Sequence, residues 1–342
     1  MTKAYFKPID SYKKTDLISQ SARELLEKVV REEGIKLTGE VPLKVHFGEA
    51  GNETFIGAKN YKGIIDFLDK NRVESVFIET NALYRGRRTG AKEHKKLAQE
   101  HGFTRLPVII ADGEKGNDYE EIKISGKHFR KCKIGKAFER YRQMIVLSHF
   151  KGHMLAGFGG ALKQLAMGFA ARGGKLDQHS NSHPVLDAEK CERCGACVKQ
   201  CPADAIRLEP VPRIDGEKCI GCAGCIAACN YEAMNVDFSN SSVKIFRERM
   251  AEYVLAAQKG KNNIYFNFCF NITELCDCRG IEMKPVARDF GILASVDPVA
   301  IDQASMDLVD KKEGRKVFGG RDAIRYAEKL KIGRREYELV EI

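Results

Sequence analysis

Eight of the twelve cysteines fall into two short runs of identical spacing, and nothing else in the chain restricts its fold as sharply. CERCGACVKQC places Cys191, Cys194, Cys197 and Cys201, and CIGCAGCIAAC repeats the pattern at Cys219, Cys222, Cys225 and Cys229. Both read C-x2-C-x2-C-x3-C. Three thiolates so close in sequence can surround one object only through a tight loop, and such a loop wraps one corner of a cuboidal iron–sulfur cluster. Gly195, Gly221 and Gly224 are placed to relieve the crowding. The fourth cysteine is expected to start the next short helix. Zinc sites usually read as C-x2-C pairs separated by a long spacer, a form these runs lack.

The spacing is that of bacterial two-cluster ferredoxins, in which the fourth cysteine of each run serves the other cluster. Cluster one is thus expected on Cys191, Cys194, Cys197 and Cys229, and cluster two on Cys219, Cys222, Cys225 and Cys201. Two 4Fe–4S clusters are the implied cofactors. Asn230 stands where the first run has Pro202, a departure expected to alter the start of a helix more than ligation. The module covers His183 to Asp237, with Ile206, Ile214, Ile220, Ile226, Met234 and Val236 as its packing residues. It would move one electron at a time at low potential.

Cysteines in such number in a chain whose start, MTKAYFKPIDSYKK, lacks a signal-like apolar core suggest metal ligands in the cytoplasm rather than disulfides. No stretch approaches the roughly 20 apolar residues of a membrane span. The net charge of +10 is uneven: from Asp187 to Asp237 nine acids face six bases, a net of −3, which leaves +13 elsewhere. That excess suits phosphates or an acidic redox partner. Nucleic acid is disfavoured, because the basic runs are not interleaved with stacking aromatics.

The flanks read as one α/β unit interrupted by the module: 1–182 its first part, 183–238 the small α+β ferredoxin-like insertion, 239–342 its second part. Helices are expected near 22–34, 61–71, 91–102, 159–174, 244–258 and 301–309. Strands are expected at 43–47, 75–80, 106–112, 144–149, 263–268 and 291–296, with a hairpin over 120–134. Strands alternating with helices predict a largely parallel sheet covered on both faces, with ligands beyond the carboxyl ends of its strands.

Several groups stand at those ends. SHFKGH holds His149, Lys151 and His153, candidates for metal ligation or proton transfer, or else part of a strand-to-helix loop with solvated imidazoles. Asp297 follows another expected strand and joins them as a catalytic candidate. AGFGGALKQ is a glycine-rich helix start where Gly159, Gly160 and Lys163 form a candidate anion site, aided by Arg172 or Lys175. Close packing explains its glycines equally well. YRGRRTG offers a second anion candidate at Arg85, with Arg87 and Arg88, against a solvated turn. CDC places Cys276 and Cys278 at i and i+2, which in an extended chain point the same way. They are candidates for a third metal or cluster with His149 and His153, or for a strained dithiol. Cys132, alone on its hairpin strand, reads as an unligated thiol.

FGEAGNETFIG, TNALYRGRRTGAKEHKKLAQEHGF, PVIIADG, LSHFKGHMLAGFGGALKQLAMGFAARGGK, the double cysteine run, CDC and GILASVDPVAIDQASMDLV occur in this order between about residues 41 and 310. Together they resemble the domain-of-unknown-function 362 proteins. The resemblance implies an iron–sulfur protein of anaerobes with a ferredoxin module inside a larger domain, and it supplies no substrate. The expected activity is a relay of low-potential electrons between two clusters and a strand-end site, acting on a small molecule or a redox partner. The alternative is a non-enzymatic electron carrier or cluster scaffold that docks an acidic protein.

Overall fold

The computed structural model describes residues 1–179, 183–237 and 242–342. Alternation of apolar side chains sets the sheet. In the fifth-from-edge strand Ile145–His149, Ile145 and Leu147 enter one core while Val146 enters the other. Tyr5 and Phe266 likewise face the first core, and Ala4, Phe6 and Tyr265 the second. A strand loaded on both faces must lie inside a sheet covered twice.

In chain order the first half holds β1 (Thr2–Pro8), α1 (Thr15–Glu32), β2 (Leu43–Lys44), α2 (Lys62–Lys70), β3 (Phe77–Glu79), α3 (Ala91–Glu100) and β4 (Val108–Ile110). The hairpin β5 (Tyr119–Lys123) and β6 (Lys131–Gly135), then β7 (Ile145–His149), β8 (Lys151–His153), β9 (Gly157–Gly159), α4 (Ala161–Phe169) and α5 (Arg172–His179) follow. The cysteine segment forms β10 (Val185–Leu186), α6 (Ala196–Gln200), β11 (Ile206–Leu208), β12 (Pro212–Ile214), α7 (Gly224–Ala228) and β13 (Met234–Asn235). The chain ends with α8 (Val243–Ala257), β14 (Ile264–Cys269), β15 (Gly291–Ser295), α9 (Pro298–Glu313), α10 (Arg321–Lys329) and β16 (Tyr337–Glu341).

Among the described residues the main sheet has eight strands in the order β16-β1-β15-β14-β7-β2-β3-β4. Every neighbouring pair is parallel except the two made by β15, which runs against β1 and β14. The fold is therefore α/β with a largely parallel sheet. Helices α1 and α2 bury Ile18, Leu25, Ile64 and Leu68 on one face; α4, α8, α9 and α10 cover the other with Leu165, Met250, Met306 and Ile324. No helix among the described residues is long and apolar enough to cross a membrane.

Three differences from the sequence reading have local causes. The single helix expected over 159–174 is two, α4 and α5, because the chain extends at Ala170 and lends backbone to β6: the Ala171 N–H donates to the Lys133 carbonyl at 3.1 Å. SHFKGH is no simple loop. Lys151 to His153 pair with Gly157 to Gly159, and the Gly152 N–H donates to the Thr273 carbonyl at 2.8 Å. A Cβ on Gly152 would meet the Glu274 carbonyl oxygen, so only glycine lets this hairpin lie against the CDC segment. β1, β16 and α10 were not anticipated at all. The expected boundaries at 182 and 238 lie outside the described residues.

Candidate functional site at the carboxyl edge of the sheet

β2, β3, β4, β7 and β14 all run the same way, so their carboxyl ends collect on one edge. Asp277, the middle residue of CDC, is the keystone there. Its buried carboxylate accepts from His149 Nδ1 at 2.9 Å and pairs with Lys151 Nζ at 2.9 Å. His149 Nε2 faces the Phe270 carbonyl at 2.7 Å, so both ring nitrogens point at oxygen acceptors. The Asp277 carbonyl accepts the Glu49 N–H at 3.1 Å. Glu49 in turn pairs with Arg88, whose guanidinium also reaches His46 Nε2 at 3.0 Å. Segments around 49, 88, 149 and 277 are thus tied by one buried charge network.

On either side of Asp277 the chain turns rather than extends. The Arg279 N–H donates to the Cys276 carbonyl at 3.0 Å, closing a turn that brings both sulfurs together. The Cys278 N–H lies 3.4 Å from Cys276 Sγ. Lys163, in the first turn of α4, donates from Nζ to Cys276 Sγ at 3.2 Å. Cys276 is buried and Cys278 exposed. The pair therefore sits in a turn and not in the extended segment expected from its i, i+2 spacing.

His153 stands beside this turn without sharing its hydrogen bonds. Its Nδ1 accepts the Ala156 N–H at 3.0 Å, and its ring stacks on Phe246. It also lines a cavity of about 700 Å³ with Glu274, Leu275, Arg247, Arg315 and Phe318. Among the described residues no three His, Cys, Asp or Glu side chains gather closely enough for one metal ion.

The remaining candidates are spoken for elsewhere. Asp297 lies at the opposite edge, because β15 is antiparallel; it caps α9, accepting from the Val299 and Ala300 N–H groups at 2.8 and 3.0 Å. Beyond Gly159 and Gly160, the Ala161 and Leu162 N–H groups donate to the buried Asp302 carboxylate at 2.8 and 2.9 Å. That helix start carries its anion from within. Arg172 is buried and donates to the carbonyls of Ala82, Thr89 and Lys115, and Lys175 to Thr80 Oγ1 at 2.6 Å. Arg87 pairs with Glu100, and Arg85 donates to the Asn230 carbonyl at 2.6 Å.

Arg85 thereby touches the cysteine segment, where the two runs adopt the same backbone. Positive φ occurs at Arg193 and Gly195 in the first and at Gly221 and Ala223 in the second, the same places in each run. Cys201 and Cys229 terminate α6 and α7 with φ −76° and ψ 112° and 111°. The fourth cysteine therefore ends a short helix instead of starting one, and Asn230 in place of proline leaves this geometry unchanged. The Ala205 N–H lies 3.3 Å from Cys201 Sγ and the Ala233 N–H 3.2 Å from Cys229 Sγ. One cavity is lined by Cys191, Cys194, Cys197 and Cys229, a second by Cys201, Cys219, Cys222 and Cys225. Leu83 and Leu176 of the larger unit are buried in the same cluster as Cys197, Cys225 and Cys229.

The profile of the family described as a domain of unknown function, DUF362, matches residues 41–307. The chain belongs to the DUF362 family. A search of curated proteins returns no match. Among solved structures the DUF362 chain is similar to a structural-genomics protein from Thermotoga maritima, at 12% identity and TM-score 0.44, covering 88% of this chain and 59% of that one. It is also similar to the lactate racemase apoprotein from Thermoanaerobacterium thermosaccharolyticum, at 13% identity and TM-score 0.40, covering 78% of this chain and 50% of that one. The chain thus spans little more than half the length of either.

The electrostatics of the DUF362 edge follow from its geometry. Burial alone would push the Asp277 carboxyl up, but His149 and Lys151 outweigh it and hold the group well below its ordinary range. The neighbouring Cys278 thiol, then the Lys163 and Lys151 charges, lower the Cys276 thiol well below its usual value against its burial. Cys276 beside it pushes the Cys278 thiol up. Burial takes His153 down to about 3, so it is neutral at ordinary pH. Asp277 escaped the sequence reading because an acid between two cysteines carries no periodicity or spacing signal. Lys163 was singled out there, but for an anion in solution rather than for a sulfur of its own chain.

Proposed function

We propose that this DUF362 protein is an iron–sulfur redox protein whose ferredoxin-like insertion passes low-potential electrons to or from the carboxyl edge of the sheet. The reading rests above all on the two four-cysteine cavities, whose membership is the crossed pairing characteristic of two-cluster ferredoxins. When bound, each cluster supplies a one-electron couple.

The chain's own residues do the rest. The Ala205 and Ala233 N–H groups donate to Cys201 and Cys229, favouring the more negative cluster charge on reduction. The carbonyl of Asn230, next to Cys229, holds Arg85 and so ties the cysteine segment to the loop after β3. Asp277, His149 and Lys151 keep the CDC turn in place.

The carrier reading has one observation in its favour: Ile220, beside Cys219, is 53% exposed and could meet a partner protein. Both readings require the clusters. Anaerobic purification should yield about eight irons and eight sulfides per chain, with reduced-cluster signals in electron paramagnetic resonance after dithionite. A zinc-filled or iron-free chain under those conditions overturns the proposal. Electron transfer to a bound small molecule that is lost in Asp277→Ala but kept by the isolated clusters' spectra separates enzyme from carrier.

A further inference from the structure

We infer that Cys276 and Cys278 are a redox-active pair that closes to a disulfide, and that Lys163 sets its poise. Three geometric facts converge. The turn closed by the Arg279 N–H folds Cys278 back on Cys276, its own N–H 3.4 Å from Cys276 Sγ, so the two residues already lie side by side. Asp277 between them is locked to His149 and Lys151, which holds the turn in that shape. Lys163 Nζ at 3.2 Å stands ready to neutralise charge left on Cys276 when the bond opens.

The other two cysteines outside the module show what structural thiols look like. Cys132 and Cys269 are fully buried, each directed at a backbone carbonyl, of Glu252 and Asn267, with no cation against the sulfur. The CDC pair differs on two counts: a cation touches the buried sulfur, and the second sulfur is exposed. A disulfide spanning only one residue is strained, and strained or exposed disulfides are the readily reduced ones.

Opening the disulfide breaks its S–S bond with two electrons and one proton; Cys276 leaves as the thiolate paired with Lys163, and Cys278 takes the proton. The cysteine runs would hold the two clusters that could supply those electrons one at a time, and this source alone rests on the function proposed above. In exchange with a dissolved disulfide, Cys278 is the sulfur within reach. It displaces one thiolate to form a mixed disulfide, and Cys276 then attacks Cys278, closing the pair and releasing the second thiol.

Oxidised and reduced glutathione are the probes. The full chain is equilibrated in buffers of varied ratio, quenched by alkylation, and the peptide holding residues 276–278 is weighed. A single two-electron transition between dialkylated and disulfide forms is expected, absent in Cys276→Ser and Cys278→Ser. Because Lys163 stabilises the reduced form, Lys163→Met should shift the equilibrium at least tenfold toward the disulfide, about 30 mV more negative, and Lys163→Arg should restore most of it. Two alkylatable thiols at every ratio in the wild type overturn the pair. A shift under twofold in a Lys163→Met protein with wild-type circular dichroism overturns the role of Lys163. Iron and sulfide counts on the same samples keep the two readings apart: a normal thiol transition with no iron sinks the relay, and eight irons without a transition sink the dithiol.

Discussion

The cysteine module and the CDC edge solve similar problems in opposite ways. In the module, the sulfurs around each cavity come from runs of eleven residues, and the two runs have matching left-handed positions and matching helix ends. At the edge, the groups around one turn come from β7, β8, α4 and the loop after β14, separated by more than a hundred residues between Lys163 and Cys276. A local motif writes its geometry into spacing. An assembled site depends on strand order, and a single antiparallel strand is enough to remove Asp297 from it.

The contrast can be broken most directly with the cysteines. On the proposed reading, Cys197→Ser or Cys225→Ser should each remove one cluster, halving iron and sulfide in elemental analysis, whereas Cys276→Ser should leave both unchanged. Equal losses from both regions would mean that the edge holds a cluster of its own. The next effect is on stability. Asp277→Ala strands the buried Lys151 and His149 without their counter-charge, and urea unfolding should show a loss of about 3–5 kcal/mol. Glu217→Ala on the exposed module surface should change little.

A smaller effect concerns Asp302, the acid that caps α4. Asp302→Asn puts an amide where two N–H groups need an acceptor and should cost about 1–3 kcal/mol. Burial raises its carboxyl from 3.8 to about 6, so between those values the folded chain holds a proton that the unfolded chain has released. Wild-type stability from this group is complete below about pH 4 and falls as pH rises toward about 6. The wild type's advantage over Asp302→Asn should therefore shrink across that window. An advantage that does not vary with pH would show that Asp302 is ionised throughout.

The smallest change sharpens the module itself. Ala223 carries φ 56° where its counterpart in the first run is glycine. Ala223→Gly should relieve that strain and stabilise the chain by less than about 1 kcal/mol, seen as a slightly higher thermal unfolding midpoint. Asn230→Pro should have no comparable benefit, since the backbone at Cys229 already matches that at Cys201.

Legibility in the sequence followed the range of the interactions. The parallel strands, most helices and the strand-end location of CDC could be read from period and order, because alternation in β7 and β14 and the glycines between elements are local signals. The break at Ala170 could not, since it is made by pairing with β6. Nor could the destinations of Arg85, Arg172 and Lys175, which look like free cations in a sequence and are bound to backbone or hydroxyl oxygens in the fold.

By itself the sequence determined the cysteine spacing, the two-faced strands and the α/β alternation, all properties of neighbouring residues. Only the tertiary structure decided that an aspartate between two cysteines anchors them, that Lys163 touches sulfur, and that a turn rather than a strand joins the pair. Charges buried far apart in sequence find partners only after the sheet is ordered, and the energy of each depends on that partner.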